Sequence, residues 1–234
     1  MRYLKGLLLI AVIMVGISSQ TAAYAYEARM YGMTGLLGRA FGFSIGVDTA
    51  MDEIRAKYPT VKTYAFRHLD KWQVRDSAIA NYKRDGLPII LIGHSMGADA
   101  TFWVAHQLDA VGVPVAAIFS YDPTPLTPCA PDNVQVVISW RNTYPAQLGG
   151  GVAHWCNPKG KGDRMALYAL ADFHTNIDDR RDVHLTSIKH TGEVVHMYRE
   201  MQAGKKRDPR CDGPARYDAM RDGARCDGGN SGRK

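Results

Sequence analysis

Runs of apolar residues alternate with amphipathic stretches from residue 29 to about residue 200. The apolar runs are five to seven residues long, which is typical of strands. They predict six strands, of which the last has the weakest pattern: Arg29–Met33, Val61–Phe66, Pro88–Ile92, Val115–Tyr121, Val134–Trp140 and Met165–Ala169.

Between these runs, apolar side chains recur at helical spacing. Residues 47, 51, 54 and 58 are Val, Met, Ile and Tyr, so they share one face of a helix that ends before Pro59. Similar patterns predict two further helices, at residues 74–82 and 97–108.

Strands that alternate with helices predict a mostly parallel sheet with helices on both faces. The run Pro88–Ile92 is apolar throughout, as expected for a strand that is covered on both sides. We therefore expect a three-layer α/β fold with about six strands. Residues 141–163 interrupt the alternation with Gly149-Gly150-Gly151, and a long irregular segment of this kind is usually a functional loop.

Charge is concentrated at the two ends of the chain. The 234 residues carry a net charge of +6, of which Arg2 and Lys5 supply two and residues 204–234 supply four. The rest of the chain is neutral, so we exclude nucleic acid as a partner. Residues 204–234 form a basic tail with few large apolar side chains, and its expected partner is an anionic membrane or envelope surface.

The first 25 residues have the pattern of a signal peptide. A positive start is followed by the apolar run Gly6–Ile17, a polar stretch and the small-x-small cleavage site Ala23-Tyr24-Ala25. The apolar run is shorter than the ~20 residues of a membrane-spanning helix. We expect an exported protein whose mature domain covers residues 26–203.

Four cysteines in an exported protein predict disulfides. Three pairings are open, and proximity in sequence favours Cys129 with Cys156 and Cys211 with Cys226. The sequence contains no C-x-x-C motif, so we expect neither a metal site nor a cofactor.

The segment Gly93-His94-Ser95-Met96-Gly97 fits the pattern G-x-S-x-G. A buried strand precedes it and an amphipathic helix follows it, which is the context of a nucleophile elbow. Glycine is needed on both sides of the serine because a side chain there would collide with neighbouring backbone. Ser95 is the candidate nucleophile, whereas His94 is expected to pack away from the Ser95 hydroxyl.

With these motifs the chain resembles the α/β-hydrolase family over residues 29–200. The resemblance implies that the backbone N–H groups of Leu36 and Met96 form an oxyanion hole, since Thr34-Gly35-Leu36 follows the first strand where the family has an HG-x loop. Thr34 replaces the histidine that is common there. The chain is too short for the family's first two strands and a large cap, which suggests a minimal member.

The resemblance also implies an acid and a histidine after the serine, in that order. Asp122 follows a strand at the carboxyl edge of the sheet, where sites form in α/β proteins. The alternatives for the acid are Asp172, Asp178 and Asp179.

His174 follows the last predicted strand and is the candidate base. His184 is the alternative, ten residues further on, beyond Asp178-Asp179-Arg180-Arg181, which are predicted to form the solvated start of a helix. With His190 and His196, it is expected on a surface element.

These residues predict an exported serine hydrolase that cleaves small-molecule or lipid esters or thioesters through an acyl-enzyme. Two alternatives stay open. An acyltransferase would use the same triad with an alcohol acceptor, and a catalytically silent protein of this fold would bind an envelope ligand.

Overall fold

The computed structural model describes residues 26–36, 38, 44–143, 149–159 and 164–203. These residues form six strands and four α-helices. The strands are β1 (Ala28–Thr34), β2 (Val61–Arg67), β3 (Ile89–His94), β4 (Ala117–Tyr121), β5 (Val137–Asn142) and β6 (Met165–Leu170). The helices are α1 (Ile45–Lys57), α2 (Lys71–Asp85), α3 (Met96–Asp109) and α4 (Arg181–Gln202). Strands and helices alternate as far as β4; β5 and β6 then follow with no α-helix between them in the described ranges.

The six strands form one parallel sheet in the order β2-β1-β3-β4-β5-β6. The expected α/β fold is confirmed, and no domain is inserted between strands in the described ranges. The fifth strand is shifted from its predicted position, because Val134 forms only an isolated bridge with Val115 and regular pairing begins at Val137.

Helices cover both faces of the sheet, as the unbroken apolar pattern of β3 predicts. Helices α1 and α4 pack against one face, and α2 and α3 pack against the other. Ile90 and Ile92 point into the first core, and Ile89 and Leu91 point into the second, since successive side chains of a strand alternate between faces. All four are fully buried.

The parallel arrangement brings the carboxyl ends of all six strands to one edge. Leu36, Ser95, Asp122 and His174 all follow strand ends at this edge, although they are far apart in sequence. His174 begins a short 3₁₀ helix, His174–Asp179, that leads into α4.

A disulfide joins Cys129 to Cys156, which confirms that pairing. It links the segment after β4 to the segment 149–159, and backbone hydrogen bonds between Ala130 and its partners His154 and Cys156 reinforce this link. Cys211 and Cys226, the signal peptide and the basic tail lie outside the described residues. Among the residues that are described, no helix combines the length and apolarity needed to cross a membrane.

Candidate active site

Ser95 occupies a sharp turn between β3 and α3. Its φ of 56° and ψ of −128° lie in a region that side-chain-bearing residues rarely adopt. Glycines make the turn sterically feasible: a Cβ on Gly93 would lie 2.4 Å from the carbonyl oxygen of Gly97, and one on Gly97 would lie 2.0 Å from that of Met33. The collision that the sequence predicts on both sides of the serine is therefore present.

Asp122 and His174 lie next to each other at the same edge. The Nδ1 atom of His174 is 2.5 Å from Oδ2 of Asp122, and the Asp122 carboxyl is fully buried. The other carboxyl oxygen accepts hydrogen bonds from the backbone N–H groups of Asn142 at 2.6 Å and Gly150 at 2.8 Å. Asp122 has a φ of 43°, so this residue too is held in an uncommon conformation.

The glycine run of the irregular loop closes over this pair. A Cβ on Gly149 would lie 1.9 Å from Oδ2 of Asp122 and 2.4 Å from Nδ1 of His174. The loop is held there because the Gly151 N–H donates to the carbonyl oxygen of Pro123. The functional loop expected over residues 141–163 did not include these contacts, although a run of three glycines is a signal of close backbone approach.

Backbone N–H groups that could bind an oxyanion adjoin Ser95. Met96 begins α3, and the N–H groups in the first turn of a helix have no partner within that helix. The loop that carries Leu36 approaches from β1, since a Cβ on Gly35 would lie 2.9 Å from the Ser95 Cβ. Met96 directly follows the candidate nucleophile, and Leu36 directly follows Gly35, the residue that approaches it.

His94 connects the elbow to the loop of His174. Its buried ring donates from Nε2 to the carbonyl oxygen of His174 at 2.9 Å, and its Nδ1 accepts from the Ser44 hydroxyl at 2.5 Å. The two imidazole rings are 4.8 Å apart. Burial lowers the pKa of His94 to about 4, so the neutral ring that makes this pair of hydrogen bonds prevails at neutral pH. No sequence pattern predicts this connection.

Asp178 lies behind His94 in the same buried region. Its Oδ2 accepts from the backbone N–H of Gly46 at 3.1 Å and lies 3.7 Å from the His94 Nδ1. Burial, together with the nearby Asp179 carboxylate, raises the pKa of Asp178 to about 7. The sequence pattern predicts that Asp178 to Arg181 form a solvated helix start. This is wrong for Asp178, which is buried against the start of α1, whereas Asp179 and Arg181 are exposed.

The alternative acids and base make other contacts. Asp172 pairs with Arg180 at 3.0 Å, and Asp179 is exposed. His184 donates from Nε2 to the carbonyl oxygen of Asp178 at 2.5 Å, and its Nδ1 lies 3.3 Å from the Glu53 carboxylate on α1. These contacts direct the His184 ring toward α1 and away from the elbow.

The expected surface location of three histidines is correct only for the last. His184 and His190 are buried in the interface of α4, whereas His196 is exposed. Successive histidines are six residues apart, which turns each side chain by about 240° around α4. The three therefore cannot share one exposed face.

One group of side chains in the described ranges has the proximity of metal ligands. The ligand atoms of His106, Cys129 and Cys156 lie within 4.8 Å of one another. The two sulfur atoms are bonded to each other, however, so neither is a free thiolate ligand.

Comparison with known proteins supports the fold. No protein-family model and no curated protein sequence matches the chain. A solved structure described as a putative hydrolase of the alpha/beta superfamily, from Xanthomonas campestris pv. campestris, is similar, with a TM-score of 0.52 and 14% identity over 71% of this chain and 99% of that one.

Two further solved structures are less similar. A protein from Thermus thermophilus has a TM-score of 0.49 and 16% identity, over 73% of this chain and 90% of its own. A cutinase-like protein from Cryptococcus sp. has a TM-score of 0.45 and 13% identity, over 73% and 96%. The all-parallel six-stranded sheet and the match to the Xanthomonas structure together show that the chain has the α/β-hydrolase fold.

Proposed function

We propose that this protein is an exported serine hydrolase that cleaves carboxylic esters or thioesters. Ser95 is the nucleophile, His174 the general base and Asp122 the residue that orients the base. The observation that carries the proposal is the 2.5 Å contact between His174 Nδ1 and the buried Asp122 carboxyl, at the sheet edge that carries the Ser95 elbow.

The contact between Asp122 and His174 determines which nitrogen of the His174 ring acts as the base. Since the Asp122 oxygen accepts the Nδ1 proton of His174, the other ring nitrogen of the neutral imidazole is left as the basic one. It takes the proton of the Ser95 hydroxyl while the oxygen attacks the carbonyl carbon, and it returns that proton to the leaving alcohol or thiol. Asn142 and Gly150 donate to the second Asp122 oxygen and hold the carboxylate in place.

The negative charge develops on the substrate's carbonyl oxygen. The N–H groups of Met96 and Leu36 are assigned to bind it. Because these backbone donors belong to the elbow and to the adjoining β1 loop, they are oriented before the reaction begins, which is the main advantage of an oxyanion hole. Water then releases the acyl group by the reverse sequence of proton transfers.

Matched histidine variants test the triad. His174→Ala should lower kcat on a p-nitrophenyl ester by about 10³-fold or more, as expected for loss of a triad member. His184→Ala, the matched control, should change kcat little, because the contacts of that ring are with Glu53 and the backbone of Asp178. Equal and mild losses in the two variants would refute the assignment of the base.

Product analysis separates hydrolysis from acyl transfer. With a thioester substrate in water containing a primary alcohol, a hydrolase releases mainly the free acid. A predominant ester product would instead identify an acyltransferase with the same nucleophile.

The proposal of export rests on the signal-peptide pattern and is compatible with the Cys129–Cys156 disulfide. The mature protein should begin near Tyr24 or Tyr26. N-terminal sequencing of protein purified from the producing cell's exterior tests this, and an intact Met1 would contradict it.

A further inference from the structure

An exposed apolar side chain follows every strand of the sheet at its carboxyl end. In the order of the strands across the sheet, these residues are Leu69, Leu36, Met96, Leu126, Val152 and Phe173, and we call them the apolar rim. Five of them lie in different segments between a strand and the next strand or α-helix, and Met96 is the first residue of α3. The rim is therefore a property of the whole edge and not of one segment.

The rim surrounds the candidate active site. Phe173 precedes His174 directly, and Val152 follows Gly150, whose N–H binds Asp122. The loop of Leu126 is fastened beside Ser95, because the hydroxyl groups of Thr124 and Thr127 donate to Asp99 in the first turn of α3.

Single exposed apolar residues are ordinary, but a concentration of them at one place marks a binding surface. Neighbouring strands lie about 4.8 Å apart, so six strand ends extend over roughly 24 Å. Leu126 is 87% exposed and Leu69 is 67% exposed. An edge of this width is far wider than one acyl chain, which points to an extended apolar phase as the occupant.

Two ion pairs lie next to the rim. Arg67 pairs with Asp70 at 3.0 Å beside Leu69, and Arg180 pairs with Asp172 at 3.0 Å beside Phe173. Paired charges lower the cost of bringing this edge against an apolar phase.

The flank of the rim has the composition of a membrane–water interface. After Leu69, Trp72 on α2 packs edge-on against Trp103 on α3, with ring centroids 4.3 Å apart. Lys71 lies 4.7 Å from the Trp103 ring and Arg75 lies 4.8 Å from the Trp72 ring. Arg75 also pairs with Asp76 at 2.7 Å, so Lys71 is the cation of this flank that anionic headgroups complement. Tryptophan and basic side chains are the residues that favour the headgroup level of a bilayer.

We propose that the apolar rim docks on the surface of a phospholipid bilayer that contains anionic lipids. The docked orientation turns Ser95 toward the membrane. Its substrates are then esters of lipids held in that membrane, a conclusion that rests on the proposed hydrolase function, whereas docking itself does not.

Vesicle co-sedimentation tests docking without turnover. The mature chain (residues 26–234) carrying Ser95→Ala is mixed with 3:1 phosphatidylcholine–phosphatidylglycerol vesicles in 0.5 M NaCl, where a screening length of about 4 Å suppresses binding by the basic tail. The double variant Leu69→Gln/Leu126→Gln should lower the partition coefficient about 100-fold, since each buried leucine contributes roughly a factor of ten or more.

The matched control is Val111→Gln/Met201→Gln. These residues are 51% and 64% exposed and lie at the opposite edge of the sheet, where α3 and α4 end. The control should bind vesicles as the parent does. Circular dichroism must show the same spectrum for all three proteins.

Several results would overturn docking: no vesicle binding by the parent in 0.5 M NaCl, equal binding by both double variants, or a rim-dependent dimer in sedimentation velocity without vesicle binding. The two proposals fail separately. Vesicle binding by a chain that cannot hydrolyse a soluble p-nitrophenyl ester supports docking and refutes the hydrolase. Turnover of that ester without vesicle binding supports the hydrolase and refutes docking.

Discussion

Adding one methyl group at Gly149 should disable catalysis without unfolding the protein. In Gly149→Ala the new Cβ would lie 1.9 Å from the Asp122 Oδ2 and 2.4 Å from the His174 Nδ1, whereas ordinary contact begins near 3.4 Å. The loop or the pair must therefore move by about 1.5 Å. Because Gly151 anchors the loop to the backbone of Pro123, part of this displacement must fall on the Asp122–His174 hydrogen bond.

The loss of rate can be bounded from this displacement. A misplacement of about 1 Å can cost 10²-fold in rate, and loss of the orienting acid costs about 10⁴-fold. We expect kcat on p-nitrophenyl butyrate to fall by between 10² and 10⁴, which corresponds to about 2.7–5.4 kcal/mol of transition-state stabilisation.

Gly112→Ala is the control for backbone strain. Gly112 has a φ of +71° and open space around the added Cβ, so the substitution costs about 1–2 kcal/mol of stability through strain alone. Its kcat should equal that of the parent, although its thermal midpoint falls. Parental kcat in Gly149→Ala, with an unchanged thermal midpoint, would refute the geometry on which the triad rests.

Three further predictions concern stability and the C-terminal tail. Burial raises the pKa of Asp178 to about 7, so the folded state retains a proton that the unfolded state loses near pH 4. The free energy of unfolding should therefore fall between about pH 4 and pH 7, and Asp178→Asn should reduce that fall in urea titrations; an identical pH profile would contradict the assignment. Replacing Cys129 and Cys156 with Ala opens a loop with a sequence separation of 27 and should cost about 3.5 kcal/mol, measured by denaturant unfolding, with no loss as the refuting result. Deleting residues 205–234 should leave a folded domain that is active on a soluble ester and binds anionic vesicles more weakly at low salt, whereas an insoluble or inactive product would show that the tail belongs to the fold.

The fold could be predicted because its signals are local. The uninterrupted apolar run before Gly93 and the helical spacing of residues 47–58 each reflect burial against the sheet. The fifth strand begins three residues later than predicted, because Val134 pairs with Val115 only as an isolated bridge and regular pairing starts at Val137. Periodicity does not distinguish such a segment from a paired strand.

The parts of the candidate site that could be predicted are the residues that come directly after strands. Ser95, Asp122 and His174 each come directly after a strand, so their edge could be inferred from order alone. The approach of Gly149 and the link from His94 to the His174 loop depend on how distant loops fold over that edge. No local pattern encodes these contacts.

Labelling with a fluorophosphonate tests the central claim most directly, because the probe reacts with an activated serine and not with an ordinary hydroxyl. The native protein should gain one adduct, and peptide mass spectrometry should place it on Ser95. Heat-unfolded protein and the Ser95→Ala variant should remain unlabelled. A native protein that takes up no probe, or that carries the adduct on another residue, would contradict the proposed hydrolase.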